Sequence, residues 1–256
     1  MSQEAEKTLY LFDMTWPEVK AALPDIKVAI IPTGSVEQHG PHGTFEVDSA
    51  RALEFSKRLG ARVYPHALVV PCVHFGVSMH HIHFPGTIAL RPETFTQVVM
   101  DVVWSLHQHG IRRFLFINGH GGNNAPLSII VNRIRHEMGD LAGFASVAKV
   151  AEDVIKSRVT SPVIGHACES EMSRSLYLCP HTVRKDAFVR GEVRPEVLER
   201  RARGIPVEEG RFWEEISVNG ALGDATQSTW ELGRDAVETA LDRLTEYLHE
   251  FMERSL

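Results

Sequence analysis

A chain of 256 residues with 43% apolar and 23% charged residues has the balance of a globular protein able to bury a substantial core, and one domain spanning 1–256 is the expectation. The formal net charge of -6 excludes the cationic footprint that nucleic acid or an anionic membrane surface would require. Cys72, Cys168 and Cys179, with no CxxC pair, argue against a disulfide framework and a zinc ribbon and fit a reducing compartment.

Met1–Lys7 is polar and acidic, without the apolar stretch of a signal peptide. No apolar run reaches the roughly 18–20 residues of a membrane span, so a cytoplasmic location is expected. The first strand is predicted over Lys27–Thr33, where Val28-Ala29-Ile30-Ile31 is bounded by Pro32 and Gly34. Directly after it stand Glu37, Gln38, His39, Gly40, Pro41 and His42, and then Asp48. In extended chain Glu37 and His39 share one side, because side chains alternate with period 2. With a second carboxylate nine residues past His39, these groups can converge on a divalent metal. Asp48 also has a plainer reading as the N-cap of a helix over Asp48–Leu59, and His42 as a loop hydrogen-bonding group.

A strand over Arg62–Val73 follows. The next loop, Ser78-Met79-His80-His81-Ile82-His83, has no carboxylate nearby in sequence, so its histidines read as pocket or loop residues rather than ligands. A helix is predicted over Arg91–His109 from the spacing of Phe95, Val98, Val99, Val102, Val103 and Leu106, with Pro92 at its start and Gly110 past its end. The strand Arg112–Asn118 runs into Asn118-Gly119-His120-Gly121-Gly122-Asn123-Asn124, whose glycines allow backbone to approach a ligand closely. Neither the Walker pattern nor GxGxxG is present, and a His in mid-loop suits a metal better than a phosphate. A helix over Ala125–Met138, capped by Asn123 or Asn124, and a strand over Leu141–Val147 complete the alternation.

Downstream, Gly165-His166-Ala167-Cys168-Glu169-Ser170-Glu171-Met172-Ser173 places His166 and Glu171 toward one site if helix begins near Cys168. The plainer reading is a helix whose acidic first turn complements its dipole. Positions 190–215 are the most charged region and read as a solvated helix and loop, with a subunit contact or a basic anion site as alternatives. The terminal helix Arg234–Arg254 is amphipathic through Val237, Leu241, Leu244, Leu248 and Phe251. Strands alternating with helices imply an α/β protein whose mostly parallel sheet is covered on both faces, with ligands at the carboxyl ends of the strands. Ten of the fourteen histidines lie from His39 to His120, and that is where the chemistry is expected.

Taken together, Glu-x-His, His-x8-Asp, Asn-Gly-His-Gly-Gly-Asn and His-Ala-x-Glu-x-Glu-x-Ser resemble the creatininase (creatinine amidohydrolase) family, as does Gly223-Asp224-Ala225-Thr226. The resemblance spans residues 28–235. It implies a creatininase-like three-layer α/β/α fold, two divalent metal ions (zinc, manganese or iron) and a homo-oligomer, often a hexamer. Carried onto this chain, Glu37 and His120 match ligands of one metal, His39 a ligand of the other, and Asp48 the carboxylate between them. His166 matches the catalytic histidine, while Ser78 falls on a substrate-contacting loop, where His80 is the second candidate. Two departures stand out. The creatinine-hydrolysing members carry a metal-binding Glu where this chain has Gly122, and Glu171, with Glu169 second, is the candidate to replace it at the metal and beside His166. Those members also place tryptophans shortly before the catalytic histidine, whereas no Trp occurs here between Trp104 and Trp213, which argues against creatinine itself. The motifs look more like branches acting on formamides, on peptides or on an inositol-derived diketone.

The physical logic of such a site is hydrolysis. A hydroxide bridging two ions attacks a polarised carbonyl, and His166 stabilises the oxyanion or protonates the leaving nitrogen. The expected reaction is cleavage of a C–N bond in a small cyclic amide or formamide. The rivals are hydrolysis of a carbon–carbon bond in an inositol-derived diketone and a metal- or ligand-binding protein without catalysis.

Overall fold

The structure, a computed structural model, describes residues 7–204, 207 and 209–256. Nearly all of the polar N-terminal stretch and three positions of the charged region therefore lie outside the described residues. In chain order the elements are β1 (Leu9–Tyr10), α1 (Trp16–Ala22), β2 (Val28–Thr33), α2 (Val47–Arg62), β3 (Ala67–Val69), α3 (Pro92–Gln108), β4 (Arg113–Asn118), α4 (Asn124–Arg133), β5 (Leu141–Ala145), α5 (Val147–Val150), α6 (Glu152–Arg158), α7 (Glu169–Leu178), α8 (Pro195–Arg203) and α9 (Trp230–Glu253).

The five strands form one sheet in the order β1-β3-β2-β4-β5, and every pairing is parallel. All six residues of β2 are buried, as a strand covered on both faces must be. Its side chains alternate between two cores. Val28 and Ile30 join Phe55 and Leu59 of α2 and Val237 and Leu241 of α9 on one face. Ala29 and Ile31 join Phe95, Val99 and Val103 of α3 and Leu127 and Ile130 of α4 on the other. β4 repeats the division, Leu115 and Ile117 facing the first core and Phe114 and Phe116 the second. The result is the expected three-layer α/β/α arrangement.

The chain leaves β2 for β3 on one side and returns to β4 on the other, so the crevice between the ends of β2 and β4 is the point where a parallel sheet opens to ligands. Thr33 and Asn118, the last residues of these strands, pair directly. The loop bearing Glu37 and His39 and the loop bearing His120 consequently leave the sheet side by side.

Several boundaries differ from the sequence expectation. The third strand is only Ala67–Val69, because α2 runs on through Arg62, whose guanidinium reaches Glu238 at 2.6 Å and Asp242 on α9. The helix expected to reach Met138 stops at Arg133 and loosens into a π-helical turn over Ile134–Met138, closed by Gly139. Val147 opens α5 instead of ending β5. Asn123 caps nothing with its side chain; its amide receives Val77 N at 2.9 Å and donates to Gly34 O at 2.9 Å, tying three loops together. Of the charged region, α8 is the predicted helix, and Arg200 on it pairs with Glu209.

α9 starts at Trp230, a full turn before Arg234, with Thr229 Oγ1 accepting from Leu232 N at 3.1 Å. That turn includes Gly233, where a Cβ would fall onto the carbonyl of Ser173 in α7. The missing side chain lets the two helices touch backbone to backbone. Gly233→Ala should therefore cost about 1–3 kcal/mol through overpacking, read as a lower urea midpoint with an unchanged slope.

Candidate metal centre

Three carboxylates and several imidazoles meet in the crevice. Glu37 and His39 come from the loop after β2, Asp48 from the first turn of α2, His120 from the loop after β4, His166 from the residues before α7 and Glu171 from its first turn. Glu37, Asp48, His39 and His120 are all at most 5% exposed. His120 Nδ1 lies 3.1 Å from Glu37 Oε2 and 3.3 Å from Asp48 Oδ2. His39 Nε2 lies 3.2 Å from Asp48 Oδ1 and 3.9 Å from Glu171 Oε2. The two oxygens of Asp48 thus look toward different histidines.

The other ring nitrogen of each histidine is committed to the backbone. A carbonyl can only accept, so His120 donates Nε2–H to Val77 O at 3.0 Å and His39 donates Nδ1–H to Glu37 O at 3.3 Å. The nitrogen each ring turns to the carboxylates is the one that would bind a metal; neutral, it would present a repelling lone pair, so the arrangement calls for a proton or a cation between. Asp48 Oδ2 is buried with no properly formed hydrogen bond. Ligand atoms about 2.0–2.2 Å from one cation sit roughly 3–3.5 Å from each other, matching these separations. Backbone carbonyls that hold the far nitrogen of a ligating His are the usual orienting partners of such ligands. The residues present therefore fit a divalent metal, and the set Glu37, His39 and Asp48 brings its ligand atoms within 4.8 Å of one another, as does His39, His166 and Glu171.

The electrostatics point the same way. Burial by itself would raise the carboxyls of Glu37 and Asp48, but His120 beside the first and His39 beside the second hold both well below the carboxylate range. Burial would lower His120 and His39, yet the same carboxylates pull both above the ordinary imidazole value. The pocket needs more positive charge than Arg51, its nearest fixed cation, supplies.

His166 lies at the edge of this cluster. Its Nε2–H is spent on Gln38 O at 2.6 Å, which leaves Nδ1 facing Glu37 Oε1 at 3.7 Å and Glu171 Oε2 at 3.9 Å. Burial and the neighbouring His39 charge lower its pKa, so the ring is neutral. Ala167, beside it, is the single non-glycine residue at positive φ (52°) among the described residues, and its N–H donates to Glu171 Oε2 at 2.6 Å.

A family model described as creatinine amidohydrolase matches residues 12–248. The chain belongs to the creatininase family. Among curated relatives, the mycofactocin precursor peptide peptidase of Mycobacterium tuberculosis is 30% identical over 229 residues, 83% of this chain and 81% of that protein. The creatinine amidohydrolase of Pseudomonas putida is 35% identical over 125 residues, 46% of this chain and 47% of its own. The 3-dehydro-scyllo-inosose hydrolase of Thermotoga maritima is 25% identical over 276 residues, 96% of this chain and 84% of its own. Among solved structures, a putative creatinine amidohydrolase from Bacteroides fragilis superposes with a TM-score of 0.84 at 25% identity, covering 98% of both chains. A mutant creatininase of zinc–zinc type gives 0.80 at 26% identity, covering 97% of this chain and all of that one, and a manganese form of creatininase is a further neighbour. Membership of this family makes the protein a metal-dependent hydrolase.

For this creatininase-family chain the Gly122 departure has a steric cause. A Cβ there would strike Val77 O and His120 Nε2, the two partners of the hydrogen bond that orients His120. Of the two acids proposed in its stead, Glu171 stands in the cluster and Glu169 does not. Glu169 points the other way and accepts from Thr160 N at 3.0 Å and Ser161 N at 2.7 Å, bracing the preceding loop. Ser78 is fully buried, its hydroxyl against that of Ser35, which donates to Glu37 Oε2 at 3.2 Å; this puts it behind Glu37 and away from open space. His80 is half-buried and stacks on His120 with ring centroids 5.6 Å apart. His42 donates to Ala167 O at 2.9 Å and supports the strained residue.

Arg51, Gln38 and Trp213 went unread in the sequence, and His81, read there as a pocket or loop residue, faces Glu37. Arg51 donates to Asp48 Oδ1 and contacts Glu171 Oε1, both at 2.7 Å; its position three residues after Asp48 on one helix was the available signal. Gln38 fixes His81 by donating to its Nδ1 at 2.9 Å, its own Oε1 being taken by Gly40 N. The remaining Nε2–H of His81 faces Glu37 Oε1 at 3.6 Å, so this nitrogen turns a proton rather than a lone pair toward the centre. Trp213 stacks on His81 at 4.5 Å and meets His166 edge-on at 5.0 Å. Trp213 thus reaches His166 in space from the charged region that follows it in sequence. An aromatic pair, Phe212-Trp213, inside a charged run was the clue.

The two glutamates make opposite predictions. Glu171→Gln should lower metal content measured by elemental analysis while leaving the fold intact. Glu169→Gln should keep its metal but lose about 1.5–3 kcal/mol of stability in chemical denaturation, the value of hydrogen bonds to a charged group.

Proposed function

We propose that this hydrolase cleaves a C–N bond in a small cyclic amide or formamide with two divalent ions, one of which would be held by Glu37, His120 and Asp48 and the other by His39, Glu171 and Asp48. The observation that carries the reading is the pair of imidazole nitrogens, His39 Nε2 and His120 Nδ1, turned toward opposite oxygens of Asp48. When bound, such ions polarise a carbonyl and lower the pKa of water toward about 7. Zinc, manganese and iron all suit a carboxylate and imidazole set.

The chain's own residues do the rest. His166 has its Nε2–H anchored and a neutral Nδ1 facing the centre, so it takes a proton at Nδ1 and hands it to the departing nitrogen. Arg51 keeps Asp48 and Glu171 ionised and in place. His81, pushed down to about 2 chiefly by burial, stays neutral and turns its N–H toward Glu37. Trp213 closes one wall over His81 and His166 and keeps bulk water from that side.

Hydrolysis of a carbon–carbon bond in a cyclic polyol ketone is the second reading. It is favoured by the alignment over 96% of this chain with the inosose hydrolase. A panel of lactams, formamides, short peptides and cyclic polyol ketones, assayed with zinc- and manganese-loaded protein, separates the two. Chelation should abolish turnover of whichever compound is the substrate, and turnover that survives complete metal removal would sink both readings. His166→Ala should slow turnover on the order of 100- to 10,000-fold while the metal content measured by elemental analysis stays at the wild-type level.

A further inference from the structure

Helix α7 carries a cation that its surroundings leave uncompensated. Arg174 is only 9% exposed, yet among the described residues it forms no ion pair. Its hydrogen bond runs from Nε to Ser170 O at 3.0 Å, and the two terminal nitrogens have no protein acceptor among the described residues. Burial and the nearby Arg51 charge push its pKa down to about 10, so it is still charged at neutral pH. Burying an ion without a partner costs several kcal/mol, and such a group normally ends up paired.

Arg174 lines a cavity of about 220 Å³. The same cavity is bounded by Arg51, Asn124 and Ser146, and by Glu171 and His120, which belong to the metal centre. It is therefore a chamber adjoining the reacting position. Glu171 adds negative charge there, but its Oε1 is held by Arg51 at 2.7 Å, and Arg51 also serves Asp48. Arg51 is paired with two carboxylates through Nη2, although its Nη1 has no partner, whereas Arg174 has no carboxylate paired with it among the described residues.

We propose that this cavity receives a carboxylate of the substrate, held by the terminal nitrogens of Arg174, which narrows the substrate class to small amides bearing a carboxylate. The assignment rests on the amide-hydrolase reading above. A planar guanidinium edge with two free nitrogens matches a carboxylate in a two-point pair. One spare positive charge beside Glu171 also suits a monoanion better than a dianionic phosphate.

The test uses full-length metal-loaded protein and a matched pair of probes, N-formylglycine and its uncharged amide. Calorimetry should show the acid binding at least tenfold more tightly than the amide. Arg174→Gln should erase that difference with metal content unchanged, and Arg174→Lys should restore part of it. Equal binding of the pair by the wild type, or a preference that survives in Arg174→Gln, would overturn the assignment. Should Arg174→Gln fail to fold, Arg174→Lys decides: a wild-type-like preference counts against the two-point pair, and a weakened one supports it. Tight binding of the acid with no turnover of any amide or formamide would sink the hydrolytic reading and leave the carboxylate site standing. Turnover of both probes at equal KM would do the reverse.

Discussion

Burial of three carboxylates within one pocket is the constraint around which this molecule is organised. Each buried ion costs several kcal/mol of lost hydration, and like charges side by side add to it. Arg51 binds two of the three acids but cannot reach around to Glu37, which lies on the far side among His120, His81 and Ser35. Two histidines are consequently drawn toward the protonated state although burial opposes it. A cluster that recruits protons against desolvation is one built for cations, and divalent ions at the same positions would remove the mismatch without the protons.

The scaffold bears that cost through placement. Asp48 and Glu171 both stand in the first turn of a helix, where the positive end of the dipole and free backbone N–H groups favour a carboxylate. The remaining acid, Glu37, follows the central strand at the sheet's switch point. β2 and β4 end in register at Thr33 and Asn118, so the loop with two ligand candidates and the loop with the third start from one line. Asn123 fastens both loops to the one bearing His80 and His81 through Val77 and Gly34. The close backbone contact of α9 at Gly233 with Ser173 lies two residues past Glu171 on α7. Fold energy and site geometry are here one quantity.

Much of this was legible in the sequence wherever the signal was local. The period-2 relation of Glu37 and His39, the glycine-flanked His120 and the acid-rich start of α7 all lie within single segments, and the structure brings each of them to the crevice. The apolar runs and helical spacings placed the main strands and helices to within a few residues. What escaped was non-local. Trp213 sits in a stretch whose charges read as solvent-facing, and it reaches His166 because its turn is tied to the histidine loop by His83 and Glu214. His81 has no acid within many residues in sequence, yet Glu37 is its neighbour across the fold. Glu169 and Glu171 are alike on paper; only the loop over Thr160 and Ser161, closing on the first, decides which enters the pocket.

The exchange of a loop acid for Glu171 is intelligible from the same contacts. A side chain at position 122 has to displace Val77 O, and that carbonyl is what orients His120. In this chain the carbonyl cannot yield, because the N–H of Val77 is fastened to Asn123 and Ser78 is locked against Ser35 behind Glu37. On the proposed reading the carboxylate for the second ion comes from across the crevice, where α7 places Glu171 Oε2 3.9 Å from His39 Nε2. Drawing the acid from α7 brings Arg51 with it, since one guanidinium edge spans Asp48 and Glu171. It also leaves Arg174, one turn further along that helix, beside the centre with its charge unmatched.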